Sequence, residues 1–215
     1  MPHSVPDRLS PGIFATVLLM VNAGSGRVGA GWVWDFANGL GFSAMAGLIY
    51  LFMQHSAGIA TRYHRACSYV VLLLIVAHAL FFLLIDPLLL EYLKPGAPAY
   101  MWFGVIGFLL IILLIVTADR LPIKRSFVSG AAFRRWHRRL SWLALLAIIG
   151  HVTISGLYIR GPVQFALLAL LVVAAVLPAL ILRWVPARGF SSAVFFVLAV
   201  FLALGLAASL NVRLP

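Results

Sequence analysis

Two pairs of histidines within apolar runs are the residues of this chain best suited to chemistry. His64 and His78 are 14 residues apart, and so are His137 and His151. At about 100° per residue, 14 helical steps turn about 1400°, which is about 40° short of four full turns. Both histidines of a pair would therefore project from nearly the same helix face. Polar groups are costly in lipid, so this repeated pattern indicates a functional site.

The spacing also predicts what these histidines bind. A rise of 1.5 Å per residue separates the two histidines of a pair by about 21 Å, within a hydrocarbon core about 30 Å thick. On two helices that run in the same direction, His64 would be level with His137, and His78 with His151. Two facing imidazoles can ligate one heme iron, and heme suits a slot between helices. We therefore predict two b-type hemes, an inner and an outer one.

The elements that must position these histidines are apolar stretches of about the length that spans a bilayer. We number them helices 1 to 7, and they cover residues 10–23, 36–54, 66–86, 100–118, 139–159, 163–183 and 190–210. The pattern predicts an all-α integral membrane bundle of six to seven transmembrane helices, with the hemes between helices 3 and 5. It forms a single transmembrane heme-binding domain over residues 1–215. Helix 1 is the shortest apolar run, and its alternative interpretation is a cleaved secretory signal.

Composition excludes several other classes of protein. Hydrophobic residues make up 64% of the chain and charged residues 10%, whereas soluble domains carry about a quarter charged residues. The net charge of +11 does not predict a nucleic-acid partner, because the basic residues flank apolar runs, where they set membrane topology. The single cysteine, Cys67, excludes a cysteine-ligated iron–sulfur cluster or zinc site. The partner predicted from composition is the lipid bilayer.

The distribution of basic residues predicts the orientation. With a cytoplasmic N-terminus, twelve basic residues lie inside and four lie outside, as the positive-inside rule expects. The inner ones are Arg8, Arg62, Arg65, Arg120, Lys124, Arg125, Arg134, Arg135, Arg138, Arg139, Arg183 and Arg188, and the outer ones are Arg27, Lys94, Arg160 and Arg213. We predict a multi-pass protein of the bacterial inner membrane with a periplasmic C-terminus.

Two arginines have a further predicted role. Arg65 and Arg138 each follow an inner histidine directly. A guanidinium forms bidentate bonds with carboxylates, so these two are predicted to pair with heme propionates. Asp35, beside Trp32 and Trp34, marks the outer start of helix 2, where tryptophans are typical of the membrane interface.

The two histidine segments, RYHRACSYVVLLLIVAH and RRWHRRLSWLALLAIIGH, resemble the ferric-reductase-like transmembrane domain family. This family includes ferric reductases, NADPH oxidases and the heme subunit of a bacterial periplasmic methionine sulfoxide reductase system. The similarity covers residues from about 10 to 185, so the helix at about 190–210 is an addition. The resemblance implies inner-heme ligation by His64 and His137 and outer-heme ligation by His78 and His151. It also implies electron flow from a cytoplasmic flavin to an external acceptor.

The chain departs from the family after helix 6. Many relatives continue into FAD- and NAD(P)H-binding domains, but here another apolar run follows and no Gly-rich dinucleotide fingerprint is present. FAD or FMN is therefore expected only on a separate partner, and the electron donor is a separate flavoprotein or a quinol. The methionine sulfoxide system is a precedent for a periplasmic redox partner.

Two alternative functions remain from the sequence. The first is a quinol-oxidising cytochrome b subunit of a respiratory complex, which also pairs histidines about 14 residues apart. Such subunits carry a Pro-Glu-Trp-Tyr motif, whereas the single glutamate here, Glu91, is not in that context. The second is a non-redox membrane transporter or assembly protein, for which intramembrane acidic residues or repeated halves would be typical.

Overall fold

All the regular secondary structure in the described part of the chain is helical. The computed structural model describes residues 9–23, 31–56, 61–119, 130–177 and 192–211. The helices are α1 (Leu9–Asn22), α2 (Trp32–Ser56), α3 (Thr61–Ile85), α4 (Ala99–Asp119), α5 (Gly130–Ser155), α6 (Pro162–Val176) and α7 (Ser192–Asn211), with a 3-10 helix at Pro87–Leu93. They follow the seven predicted stretches in order. The prediction of an all-α helical fold is confirmed.

Four of these helices are long and apolar enough to cross a membrane. The candidate spans are Trp32–Met53 in α2, Tyr63–Ile85 in α3, Ala99–Ala118 in α4 and Ala193–Asn211 in α7. Helices α1 and α6 are apolar but shorter. Helix α5 has 26 residues, but its first ten include four arginines. Four candidate spans are compatible with a membrane protein, and the count of six to seven stays a prediction.

Helix α5 shows where apolar runs mislead about helix ends. It begins at Gly130, nine residues before the predicted apolar run, because alanine and arginine are good helix formers. It ends at Ser155, where Gly156 adopts a φ of 58° and donates its N–H to the Thr153 carbonyl at 3.3 Å. This left-handed conformation is readily adopted by glycine and ends many helices. Both histidines of the second pair therefore lie within one continuous helix.

The chain divides into two compact units. One unit contains the described residues up to Pro87 together with those from Tyr158 onward, and the other extends from Leu88 to Leu157. In the first unit, α2 packs against α1, α3, α6 and α7. In the second unit, α4 packs against α5. Each histidine-bearing helix thus has its own partner helix, α2 for α3 and α4 for α5.

Small residues on α2 allow α7 to approach closely. A Cβ placed on Gly39 would lie 2.6 Å from the Cα of Ala203. One turn later, the Ser43 hydroxyl donates to the Ala199 carbonyl at 2.8 Å. Small residues spaced four apart are typical of closely packed membrane helices, where packing and interhelical hydrogen bonds replace the hydrophobic effect.

We expect Gly39→Ala to destabilise the first unit. The added methyl group would meet backbone atoms of α7, so one helix must shift, and overpacking of this kind costs about 1–3 kcal/mol. Thermal unfolding in detergent, followed by circular dichroism, measures the effect. Gly205→Ala is the control, since its new methyl group would approach Leu18 no closer than 4.0 Å. Equal melting temperatures for the two variants would contradict this close contact.

Candidate functional site

His78 is held in the first unit by a hydrogen bond to the neighbouring helix. Its Nδ1 lies 2.8 Å from the Ala37 carbonyl oxygen of α2. A carbonyl can only accept, so Nδ1 carries the hydrogen and donates it, and a neutral ring then leaves Nε2 unprotonated. The ring is half-buried and lies edge-on to Phe82, with centroids 5.0 Å apart. In this tautomer Nε2 carries the lone pair that a metal ligand requires.

His151 has the same arrangement within the second unit. Its Nδ1 donates to the Tyr100 carbonyl oxygen of α4 at 2.7 Å, and its ring is also half-buried. The same reasoning assigns the hydrogen to Nδ1 and leaves Nε2 as the acceptor nitrogen. The two histidines predicted to hold the outer heme thus share one tautomer and one type of backbone acceptor.

A glycine of the neighbouring helix lies against each of these two histidine rings. Gly41 lies four residues after the acceptor Ala37, and its Cβ would be 2.9 Å from Cε1 and Nδ1 of His78. Gly104 lies four residues after Tyr100, and its Cβ would be 2.9 Å from Nδ1 of His151. Each imidazole therefore occupies the space that a side chain at the glycine position would fill. The helix pairs α2/α3 and α4/α5 repeat one design, in which a carbonyl and a glycine one turn apart cradle a histidine of the next helix.

Sequence reasoning did not identify these cradle positions. The chain has 18 glycines, so a glycine four residues after Ala37 or Tyr100 is not distinctive by itself. The signal that could have found them is a glycine on the helix that precedes each histidine assigned to the outer heme. Recognising it requires the packing register of the helices, which apolar patterns do not specify.

His64 continues the inward face of α3. The residues His64, Cys67, Val71, Leu74 and His78 follow one another at intervals of three or four, which places them on one helix face. Cys67, Val71 and Leu74 are buried, and His64 is half-buried. Cys67 is fully buried on this face. Both histidines of α3 therefore share the face that packs inside their own unit.

His137 lies two turns into α5 and is half-buried. Its ring centroid is 5.7 Å from that of Phe133, one turn earlier. Its main-chain carbonyl accepts a hydrogen bond from the Ser141 hydroxyl at 2.9 Å. With His151 it confirms that the second 14-residue interval is helical throughout.

The predicted arginine ligands of the propionates occupy exposed positions. Arg65 is exposed on α3, and Arg138 is exposed on α5, where Arg134, Arg135 and Arg139 are exposed as well. Their pairing with propionates stays a prediction. Of the two remaining histidines, His3 lies outside the described residues, and so does the side chain of His55. Other basic residues used for the predicted orientation lie outside them too, namely Arg8, Arg27, Arg120, Lys124, Arg125, Arg183, Arg188 and Arg213.

The donor set at the outer histidines fits heme ligation. Metal-ligating histidines usually donate their other ring N–H to a carbonyl or carboxylate, which orients the ring and raises the basicity of the ligand nitrogen. Within the described ranges, no group of three or more His, Cys, Asp or Glu side chains is placed to hold a bare metal ion. A heme iron requires only two axial histidines from the protein. The pairing of α3 histidines with α5 histidines stays a prediction.

The fold and this site together define a class, an all-helical protein with apolar helices of membrane-spanning length and two carbonyl-anchored histidines. No family model matches the chain, and neither a curated protein nor a solved structure matches it.

Proposed function

We propose that this chain is a di-heme b-type membrane cytochrome that transfers electrons across the bacterial inner membrane. The observation that carries the proposal is the matched setting of His78 and His151, each donating Nδ1–H to a carbonyl and lying against a glycine. Two histidines on different helices, each in the tautomer that has its lone pair on Nε2, are the donor set of a bis-histidine heme. Equal 14-residue intervals within continuous helices support a second site at the other depth.

The proposal assigns His78 and His151 to the iron of the outer heme, and His64 and His137 to that of the inner heme. Bound heme supplies one-electron redox chemistry at each level. The protein holds the two ligand nitrogens, fixes their tautomer through the Ala37 and Tyr100 carbonyls, and surrounds the rings with apolar side chains. Held by two histidines, each heme would supply outer-sphere electron transfer and no binding of a substrate at the iron.

Electron flow is assigned from the cytoplasmic to the periplasmic side, with the N-terminus inside. The donor is a separate flavoprotein carrying FAD or FMN, or a quinol, and the acceptor lies on the periplasmic side. Arg65 and Arg138 are assigned to the propionates of the inner heme. Their exposed guanidinium groups are compatible with bidentate bonds to carboxylates.

The test of the proposed function is a reduced-minus-oxidised optical spectrum of the purified full-length protein, with pyridine-hemochrome quantitation. Two b hemes per chain are expected. A heme-free, well-folded protein from a heme-supplied host would reject the proposal in favour of a non-redox membrane protein. A single heme would reject the two-site assignment.

The arginine assignment makes a smaller prediction. Arg65→Gln and Arg138→Gln are each expected to lower the midpoint potential of the inner heme, because a lost cation no longer stabilises the added electron. Arg134→Gln, which removes an equally exposed guanidinium from the same helix as Arg138, is the control. Redox titration measures all three variants, and equal shifts in all of them would contradict a specific propionate contact.

A further inference from the structure

A carboxylate is buried at the start of α2. Asp35 lies in the first turn of this helix and is 0% exposed. Its Oδ1 accepts a hydrogen bond from the Tyr158 hydroxyl at 2.7 Å, and its Oδ2 accepts one from Nδ2 of Asn211 at 2.7 Å. The sequence placed Asp35 at a helix end, where carboxylates are usually solvated. The fold instead encloses it among α2, α7 and the segment that follows α5.

The surrounding hydrogen bonds suit a negative charge. Tyr158 donates its only hydroxyl hydrogen to Asp35 and accepts a hydrogen bond from Nδ2 of Asn38 at 3.0 Å. Gln164 then holds the Tyr158 main chain, with Nε2 donating to its carbonyl at 2.7 Å. Burial of a carboxylate is costly unless hydrogen bonds compensate, and hydrogen bonds to the charged form favour that form. Both carboxylate oxygens here accept hydrogen bonds, which is the pattern that an ionised carboxylate requires.

This anion lies on the same helix as the groups that contact His78, but on a different face, because the two residues from Asp35 to Ala37 turn the helix by about 200°. Ala37, whose carbonyl accepts the Nδ1–H of His78, is only two residues after Asp35 on the same helix. Gly41, which lies against the His78 ring, follows one turn later. In the second unit, the position two residues before the acceptor Tyr100 is Pro98, which carries no charge. The buried anion therefore distinguishes the His78 setting from the His151 setting.

We propose that Asp35 is a buried charge that lowers the reduction potential of the heme bound through His78. This inference rests on the proposed function. Reduction adds an electron to the heme, and a nearby negative charge in a low-dielectric interior opposes that addition more strongly than an exposed charge would. A lower potential at the outer heme favours delivery of its electron to the periplasmic acceptor.

The test is a redox titration of the purified full-length holoprotein, followed at the b-heme absorption bands. Asp35→Asn keeps the side-chain shape and removes the charge, and it is expected to raise the midpoint potential of one heme. That heme should be the one lost in His78→Ala. The double variant Asp35→Asn with Asn211→Asp returns a carboxylate to the same hydrogen-bonded pair and should restore most of the wild-type potential.

The matched control is Glu91→Gln, which removes a carboxylate that is 60% exposed and paired with Lys94 at 2.6 Å. It should move neither potential. Asp35→Glu retains the charge but enlarges a fully buried side chain. A purely structural role of Asp35 therefore predicts that Asp35→Glu disturbs folding and the heme potential more than Asp35→Asn does. An electrostatic role predicts that Asp35→Glu keeps a nearly wild-type midpoint potential, even if Asp35→Asn fails to fold.

The outcomes separate this inference from the proposed function. Absence of heme from the wild-type protein rejects the proposed function and the inference with it. Two hemes whose potentials are unchanged in Asp35→Asn, or shifted equally, reject the inference alone. The inference is also rejected if the heme potential shifts as far in Asp35→Glu as in Asp35→Asn, because the shift would then not depend on the charge.

Discussion

Replacement of His78 by alanine is expected to remove the outer heme and to leave the inner heme bound. The same single-heme product is expected for His151→Ala, since the proposed function assigns His78 and His151 to the same iron. Pyridine-hemochrome quantitation should fall from two hemes per chain to one in either variant. The remaining spectrum should be the same for both, because the inner ligands His64 and His137 are untouched.

Two comparisons make this expectation specific. The double variant His78→Ala with His151→Ala should retain as much heme as either single variant, because all three lack one site only. His64→Ala should retain a heme with a different midpoint potential, that of the outer site. His55→Ala, at a histidine outside the four assigned ligands, is the control and should retain both hemes. Two hemes in purified His78→Ala would contradict the outer-site assignment.

Gly41→Ala and Gly104→Ala are the second pair of variants with a large expected effect. Each new Cβ would lie 2.9 Å from an imidazole, which is closer than nonbonded atoms can approach. The ring must then move, and the bond from Nδ1 to the Ala37 or Tyr100 carbonyl must lengthen or break. We expect loss of most of the outer heme in both variants, although every ligand residue is still present. Changes to the groups that orient a ligating histidine typically weaken metal binding by about 10- to 100-fold.

The measurement is heme stoichiometry together with the helical circular dichroism of the same samples. Gly205→Ala is the matched control, because it also adds a methyl group within a helix but meets only ordinary contacts. Normal helicity with one heme lost would identify ring placement as the cause. Full heme content in Gly41→Ala and Gly104→Ala would show that neither glycine holds its histidine ring in the ligating position.

The helices themselves could be predicted from the sequence because each lies in a nearly continuous run of apolar residues, bounded by Gly, Pro or charged residues. The histidine pairs were visible for the same reason, since polar residues stand out in apolar runs and a 14-residue interval has a fixed meaning in a helix. Element ends were less predictable. Helix α5 extends back through its arginines to Gly130, and it stops at Gly156 because of one left-handed backbone conformation.

The immediate surroundings of the histidines could not be predicted. The bond between His78 and Ala37 joins residues 41 positions apart, and that between His151 and Tyr100 joins residues 51 positions apart. Such contacts depend on which faces of two helices meet and at what axial offset. A one-turn change of register would place different carbonyls and side chains beside the rings, with the same apolar pattern.

The sequence by itself determined the apolar helices and the two pairs of histidines 14 residues apart, because these properties are local to each helix. Only the tertiary structure decided which backbone carbonyl anchors each outer histidine, which glycine admits its ring, and that Asp35 is enclosed with Tyr158 and Asn211. The physical reason is that each of these features requires atoms from distant segments to meet within hydrogen-bonding or van der Waals distance. That meeting is set by helix packing, which residue periodicity alone does not encode.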